Sequence, residues 1–340
     1  MVMDGCCDEG HKIRVLHDSD ADLEAVKGRR ICVIGYGIQG HAQAQNWKDS
    51  GLDVVVGLRE GSKAMGKAKA DGMRCASIAE AVAGSDIICM LTPDMTHRQI
   101  YEEFIKQHMS AGKALYFSHG FSVVFGQIVP PKDVDVIMVA PKSPGKRVRE
   151  TYKEGFGTPA LAAVHQDASG HARQTALGLA KAMGCTRAGV FECTFREETL
   201  SDLFGEQAVL CGGVTELIRA GFETLVERCY PPEIAYFECL HELKLIVDLV
   251  QAGGIFGMYQ GVSETARYGG RTRGKSVIGE EARKAMRKLL EEVEDGTFAH
   301  EWILENQAGR PKFAMLEEME KNELIEKVGS QIRQTFVKKA

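Results

Sequence analysis

The sequence predicts two domains of different class: an α/β domain built on a mainly parallel sheet, followed by an all-α domain. Three observations carry this prediction. From Arg30 to Cys193, short apolar runs alternate with Ala-rich helical stretches, the pattern of parallel strands covered on both faces. The first of these runs leads directly into Gly35-Tyr36-Gly37-Ile38-Gln39-Gly40, a glycine turn in the strand–turn–helix context of a Rossmann-type dinucleotide fold. Beyond Phe195 the strand-like runs stop and long helical patterns continue to the C-terminus. The boundary is placed there, giving an N-terminal nucleotide domain over residues 1–194 and a helical domain over 195–340.

A chain of 340 residues suits two domains. Hydrophobic residues make up 44% and charged residues 26%, as in a soluble globular protein. A net charge of −5 argues against a general nucleic-acid or anionic-membrane binder. No run of 18 apolar residues is present, so no membrane span is expected. Met1–Lys12 lacks the apolar core of a secretory signal. The 10 cysteines, including the adjacent Cys6 and Cys7, show no CxxC pattern. They read as free thiols of a reducing cytoplasm, most of them acting as small buried hydrophobes.

Strands are expected at Arg30–Ile34, Asp53–Leu58, Ile87–Thr92, Ala114–Ser118, Val136–Ala140, Leu161–Val164 and Val190–Cys193. Between them, Gly40–Ser50, Ser77–Ala83 and Ala168–Met183 suit helices. In the second domain the expected helices are Thr199–Ala220, Pro232–Gln251, Gly279–Asp295 and Phe313–Lys327, with Pro231-Pro232 marking a helix start.

In the glycine turn, Gly35 permits the tight bend, Gly37 lets a pyrophosphate approach the backbone, and Gly40 allows close helix–strand packing. The helix N-terminus then faces the phosphate charge. The second strand ends in Leu58-Arg59-Glu60-Gly61-Ser62-Lys63 rather than in a lone acid. Arg59 is placed to meet a 2′-phosphate with Ser62 assisting, which favours NADPH. Glu60 suits a ribose, so NADH use stays open, as does a simple solvated role for Arg59.

Two carboxylate pairs stand at i and i+4 on predicted helices: Asp202 with Glu206, and Glu238 with Glu242. Each pair shares a helix face, where like charges repel. The faces turn apolar downstream, through Val209 and Leu210 in one case and Leu245, Ile246 and Leu249 in the other. Acids on such faces need compensation, and magnesium accepts oxygen ligands while leaving positions for water and substrate. Four acids suffice for two ions; a solvated acidic face is the alternative.

Longer runs go further. Asp202-Leu-Phe-Gly-Glu-Gln-Ala-Val-Leu-Cys-Gly-Gly213 and Tyr236-Phe-Glu-Cys-Leu-His-Glu-Leu-Lys-Leu-Ile-Val-Asp248 stand beside His119-Gly-Phe121, Phe125-Gly-Gln-Ile128, Asp135-Val-Ile-Met138 and Glu305-Asn-Gln-Ala-Gly309. On these stretches the chain, from Lys27 to Pro311, resembles the short-form ketol-acid reductoisomerases (acetohydroxy acid isomeroreductases). The resemblance implies a magnesium-dependent alkyl migration in 2-acetolactate or 2-aceto-2-hydroxybutyrate. Reduction by NADPH to the 2,3-dihydroxy acid follows, in valine, leucine and isoleucine biosynthesis. Two magnesium ions per site would be held by Asp202, Glu206, Glu238 and Glu242, with Asp202 bridging. His119, Lys142 and Glu242 are the implied catalytic groups and Ser263 the substrate-carboxylate contact, although Ser263 also reads as a helix cap. Gly35, Tyr36, Gly37, Gln39, Gly40, Arg59, Ser62 and His119 would line the cofactor. The resemblance further implies a knotted, dimer-forming helical domain, with Glu238, Glu242 and Ser263 reaching the partner's site, so a homodimer or higher homo-oligomer is expected.

The sequence departs from the family pattern at Ile38 and Ala64, each in place of a serine, at Ser143 in place of glycine, and at Lys146 in place of histidine. Glu264 and Arg267 change the charge beside Ser263. These positions bear on cofactor preference and substrate range and leave the four acids intact. A specialised relative reducing another 2-keto acid is the second reading. A catalytically silent nucleotide-binding scaffold is the third, and the complete acid set speaks against it.

Overall fold

The computed structural model describes residues 14–336, so Cys6 and Cys7 lie outside the described residues. The chain divides into two compact units between Thr199 and Leu200, inside the helix Phe195–Gly205.

The first unit is built on a nine-stranded sheet: β1 (Val15–Leu16), β2 (Arg30–Ile34), β3 (Asp53–Leu58), β4 (Arg74–Ser77), β5 (Ile87–Met90), β6 (Ala114–Phe117), β7 (Asp135–Pro141), β8 (Ala160–Gln166) and β9 (Val190–Glu192). Their order is β1-β9-β8-β7-β6-β5-β2-β3-β4. The six strands from β7 to β4 run parallel. Alternation along β2 divides the core: Ile31 and Val33 pack into one hydrophobic cluster, Cys32 and Ile34 into the other, all with no solvent exposure. That is why these strands read as continuous apolar runs rather than alternating ones.

Three features differ from the expectation. β8 pairs antiparallel with β7, so the parallel sheet reverses once, and β9 then runs parallel to β8. β1 adds antiparallel to β9 through only two residues, Val15 and Leu16, too short a run to show a period. β4 is an edge strand of sequence Arg-Cys-Ala-Ser with no buried residue, and so gives no apolar signal.

The helix after the glycine turn is Ile38–Asp49, two residues earlier than its apolar pattern suggests. Its Trp47 is fully buried and donates to the carbonyl of Leu179, 3.0 Å away, which fastens it to the helix Ala172–Met183.

The second unit is helical throughout its described residues. The expected Thr199–Ala220 helix is three pieces: Phe195–Gly205, a π-turn over Glu206–Leu210, and Gly212–Glu227. The expected Pro232–Gln251 helix is likewise Pro232–Tyr236, a π-turn over Phe237–His241, and Leu243–Gln260, kinked at Gly254 (φ 67°, ψ 179°). Glu264–Val277, Glu280–Glu294 and Thr297–Gln307 follow. The single helix expected at Phe313–Lys327 is two, Pro311–Lys321 and Leu324–Phe336. Asn322 divides them, its side chain donating to the carbonyl of Glu318 at 2.8 Å. Among the described residues no single helix is long and apolar enough to cross a membrane. One bent pair, Pro232–Gln260 with Glu264–Val277, passes on length and composition alone.

Candidate functional site

The C-terminal ends of the parallel strands collect the functional residues of the first unit, as expected for a doubly wound sheet. β2 ends at the glycine turn, β6 at Ser118-His119, and β7 at Lys142. Gly35 has φ +95°, and a Cβ there would meet the carbonyl oxygen of Leu91 at 2.7 Å. A Cβ on Gly40 would lie 2.5 Å from the carbonyl oxygen of Gly35. At Gly37 a Cβ would meet nothing within 4 Å, so the backbone there borders open space in front of the helix Ile38–Asp49. No acid stands in that helix's first turn. An open, glycine-lined helix N-terminus free of acids fits a pyrophosphate.

Tyr36 is buried, and its hydroxyl donates to Asp71 Oδ2 at 2.9 Å while accepting from Gln45 Nε2 at 3.1 Å. Burial and the nearby Asp71 carboxylate raise its pKa well above that of a free phenol. The side chain therefore braces the turn from behind. Gln39 donates through Nε2 to the carbonyl of Ser143 at 3.0 Å. A Cβ on Gly145 would fall 1.6 Å from the carbonyl oxygen of Ile38. Thus only glycine at 145 lets the loop that carries Lys142 lie against the nucleotide turn. Arg59 and Glu60 are exposed beyond β3, and Ser62 Oγ accepts from the Ala64 amide at 3.3 Å, which leaves its own O–H to donate elsewhere.

His119 follows β6. Its Nδ1 accepts from the Phe121 amide at 3.4 Å and lies 4.0 Å from Asp94 Oδ2. A Cβ on Gly120 would stand 2.2 Å from Thr199 Oγ1 and 3.1 Å from Phe195 Cδ1, so glycine is what allows the histidine loop to approach the helix Phe195–Gly205. That approach brings ligand atoms of His119 and Glu198 within 4.8 Å of one another. Glu198 is 1% exposed, and its Oε1 receives a 2.8 Å charge-assisted hydrogen bond from Lys142 Nζ.

Glu198 is the candidate site residue that the sequence reading missed. It precedes Asp202 by four residues on one continuous helix, and Glu206 follows by four more at the start of the π-turn. The three carboxylates form one stripe. Their all-oxygen donor set fits a hard divalent cation.

Glu238 lies within the second π-turn and Glu242 directly after it, both exposed. Among the described residues, neither joins a cluster of three or more possible metal ligands. Ser263 caps the helix Glu264–Val277, its Oγ accepting from the Ala266 amide at 3.2 Å.

The family profile described as "Acetohydroxy acid isomeroreductase, NADPH-binding domain" matches residues 25–189. The profile described as "Ketol-acid reductoisomerase, C-terminal domain" matches residues 195–338. Among solved structures, an NADH-preferring ketol-acid reductoisomerase from an uncultured archean is 50% identical, with a TM-score of 0.93 over 96% of this chain and 100% of that one. A semialdehyde dehydrogenase NAD-binding protein from Cupriavidus necator is 15% identical, with a TM-score of 0.59 over 78% of this chain and 99% of that one, a likeness of fold alone. The same holds for a pyrroline-5-carboxylate reductase from Coxiella burnetii, at 12% identity and a TM-score of 0.54 over 78% and 98%.

Proposed function

The chain belongs to the ketol-acid reductoisomerase family, and from that premise we propose how its residues divide the family's reaction. The enzyme is an NAD(P)-dependent oxidoreductase with an isomerase step, working in branched-chain amino acid biosynthesis with NADPH and Mg2+. An acetohydroxy acid substrate is favoured over a different keto acid, because a relative of that activity matches nearly the whole chain. When bound, magnesium supplies Lewis-acid polarisation of adjacent substrate oxygens and the dinucleotide supplies the hydride.

Asp202 and Glu206 would hold the metals, with Glu238 and Glu242 completing the set. The observation that carries this reading is the acidic stripe Glu198–Asp202–Glu206, with Lys142 pinned to its first member. Lys142 offsets the stripe's charge through its contact with Glu198. With Nδ1 accepting from the Phe121 amide, the His119 ring is held at the end of β6, where it would meet the bound substrate. Ser263 would keep its O–H for the substrate carboxylate, since its capping bond uses the oxygen only as an acceptor. The turn shaped by Gly35 and Gly40 would cradle the pyrophosphate at Gly37, while Arg59 and Ser62 would take the 2′-phosphate. Arg59 and Ser62 favour NADPH, while the Glu60 carboxylate suits an unphosphorylated ribose and leaves NADH use open.

The partner is a second copy of the chain. The 18-residue helix Leu243–Gln260 and the helix Glu264–Val277 have no buried residue in the single chain. Ile255 and Phe256 are 69% and 71% exposed. The apolar surface of Leu243–Gln260 gains about 25 cal/mol per Å² when covered. A homodimer sharing its second acid pair with the neighbouring copy accounts for both the apolar faces and the isolation of Glu238 and Glu242. The free thiols among the described residues suit the cytoplasm.

The test is loss of NADPH absorbance with 2-acetolactate and Mg2+, with the product identified as the dihydroxy acid. Wild type turns over, and Asp202→Asn falls by about 10³-fold or more. Turnover that survives chelation of magnesium, or an unimpaired Asp202→Asn, contradicts the metal assignment.

A further inference from the structure

Helix Ile38–Asp49 carries two glutamines facing inward, one turn apart, and the second has no place in the reaction described above. Gln43 has no solvent exposure, yet its amide oxygen and both amide protons are engaged. Oε1 accepts from the Tyr116 hydroxyl at 2.8 Å. Nε2 donates to Gln39 Oε1 at 3.2 Å and to Ser118 Oγ at 2.8 Å. Gln39 in turn donates to the carbonyl of Ser143 at 3.0 Å, and the single Tyr116 proton is shared between Gln43 Oε1 and the carbonyl of Val139, 3.0 Å away. A single buried amide therefore joins three strand ends: the nucleotide turn through Gln39, the residue before His119 through Ser118, and the residue after Lys142 through Gln39 and Ser143.

We propose that Gln43 is a positioning residue for hydride transfer, holding the dinucleotide turn, His119 and Lys142 in one register. A buried amide with all its partners fixed has one orientation, and its network resists displacement more than separate bonds would. Reaction geometry is sensitive at this level, since a misplacement of about 1 Å far from the chemistry can cost about 10²-fold in rate. Tyr116 anchors the network on its core side. Gln43 is the branch point toward the loops. The proposal rests on the reductoisomerase reading above.

The experiment compares Gln43→Met with Tyr116→Phe. Both remove a fully buried polar group from the same network, so both are expected to lower Tm by a similar amount. Gln43→Met releases both Gln39 and Ser118, whereas Tyr116→Phe leaves Gln39 held and takes from Ser118 only a 3.4 Å contact, keeping its 2.8 Å bond to Gln43. The kcat of Gln43→Met with 2-acetolactate is expected to fall by about 10-fold or more, with KM for substrate and for NADPH within about 3-fold of wild type. The primary isotope effect from NADPH deuterated at the transferred position should rise as hydride transfer becomes rate-limiting. Tyr116→Phe should keep kcat within about 3-fold and leave the isotope effect unchanged.

Equal kcat losses in the two variants, or an isotope effect in Gln43→Met equal to wild type, overturns the proposal. Should Gln43→Met fail to fold, Ser118→Ala carries the test. It should raise the isotope effect, and no rise overturns the proposal. Wild-type protein with no turnover of acetolactate would overturn the family reading and this proposal with it. Normal wild-type turnover with an unaffected Gln43→Met overturns this proposal alone.

Discussion

His97 sets a pH limit on the first unit. It is 3% exposed, its Nε2 donates to the carbonyl of Thr92 at 2.8 Å, and its Nδ1 accepts from the Ser122 hydroxyl at 2.9 Å. Burial lowers its pKa below the usual imidazole value, an effect only partly offset by Asp94. The unfolded chain, with His near 6.5, therefore binds the proton more readily than the folded one. The stability from neutral His97 is full above about pH 6.5 and is lost as pH falls below it toward the depressed folded value. Urea unfolding should show a steeper loss between pH 7.5 and 5.5 for wild type than for His97→Gln; equal slopes contradict this. Sequence patterning reached much at this scale. Gly35, Gly37 and Gly40 were legible as candidate cofactor contacts from a fixed motif, and Asp202 and Glu206 as candidate metal ligands from like charges that a helix would not choose for itself. Glu198 was not, because Phe195-Arg-Glu-Glu reads as an ordinary acidic first turn. Its burial depends on Gly120 and Lys142, which are distant in sequence.

Two π-turns lie in the elements that carry the acids. Glu206–Leu210 and Phe237–His241 each interrupt a helix that periodicity predicts to be continuous. A π-turn differs from the α-pattern by a single residue, so its apolar period is nearly unchanged and the sequence hides it. Its consequence is large, since one residue rotates everything beyond it by about 100° about the helix axis. Deleting Val209 should convert the first turn to α-helix and turn the stripe Glu198–Asp202–Glu206 against the helix that follows. Magnesium-dependent turnover should fall by about 10²-fold or more while far-UV circular dichroism keeps its helical signal. Retained turnover would show that the π-turn has no part in the site. The strands show the same division. The buried central ones, β2, β3 and β5 to β7, were readable from apolar runs, whereas β1 is too short and β4 too polar and too near the edge. The reversal at β8 depends on how the connection after β7 returns to the sheet, which residue patterning does not encode.

At the scale of the whole molecule, the two units differ in how much core each makes for itself. The first encloses two large buried clusters. The cluster in the second contains only six buried residues, including Phe222, Tyr236 and Ile332, while its most apolar helix, Leu243–Gln260, has none. The sequence showed that this helix is apolar. A second copy of the chain as its cover was suggested only by family resemblance, because periodicity is the same whether a face packs on its own chain or on another. A shared site is the central claim, and complementation tests it most directly. Asp202→Asn and Glu242→Gln homodimers should each be nearly inactive. Co-expressed with separate affinity tags and purified as the mixed dimer, they place both substitutions in one site and leave the other intact. The account predicts about half of wild-type activity per mixed dimer. A mixed dimer as inactive as either parent would contradict it.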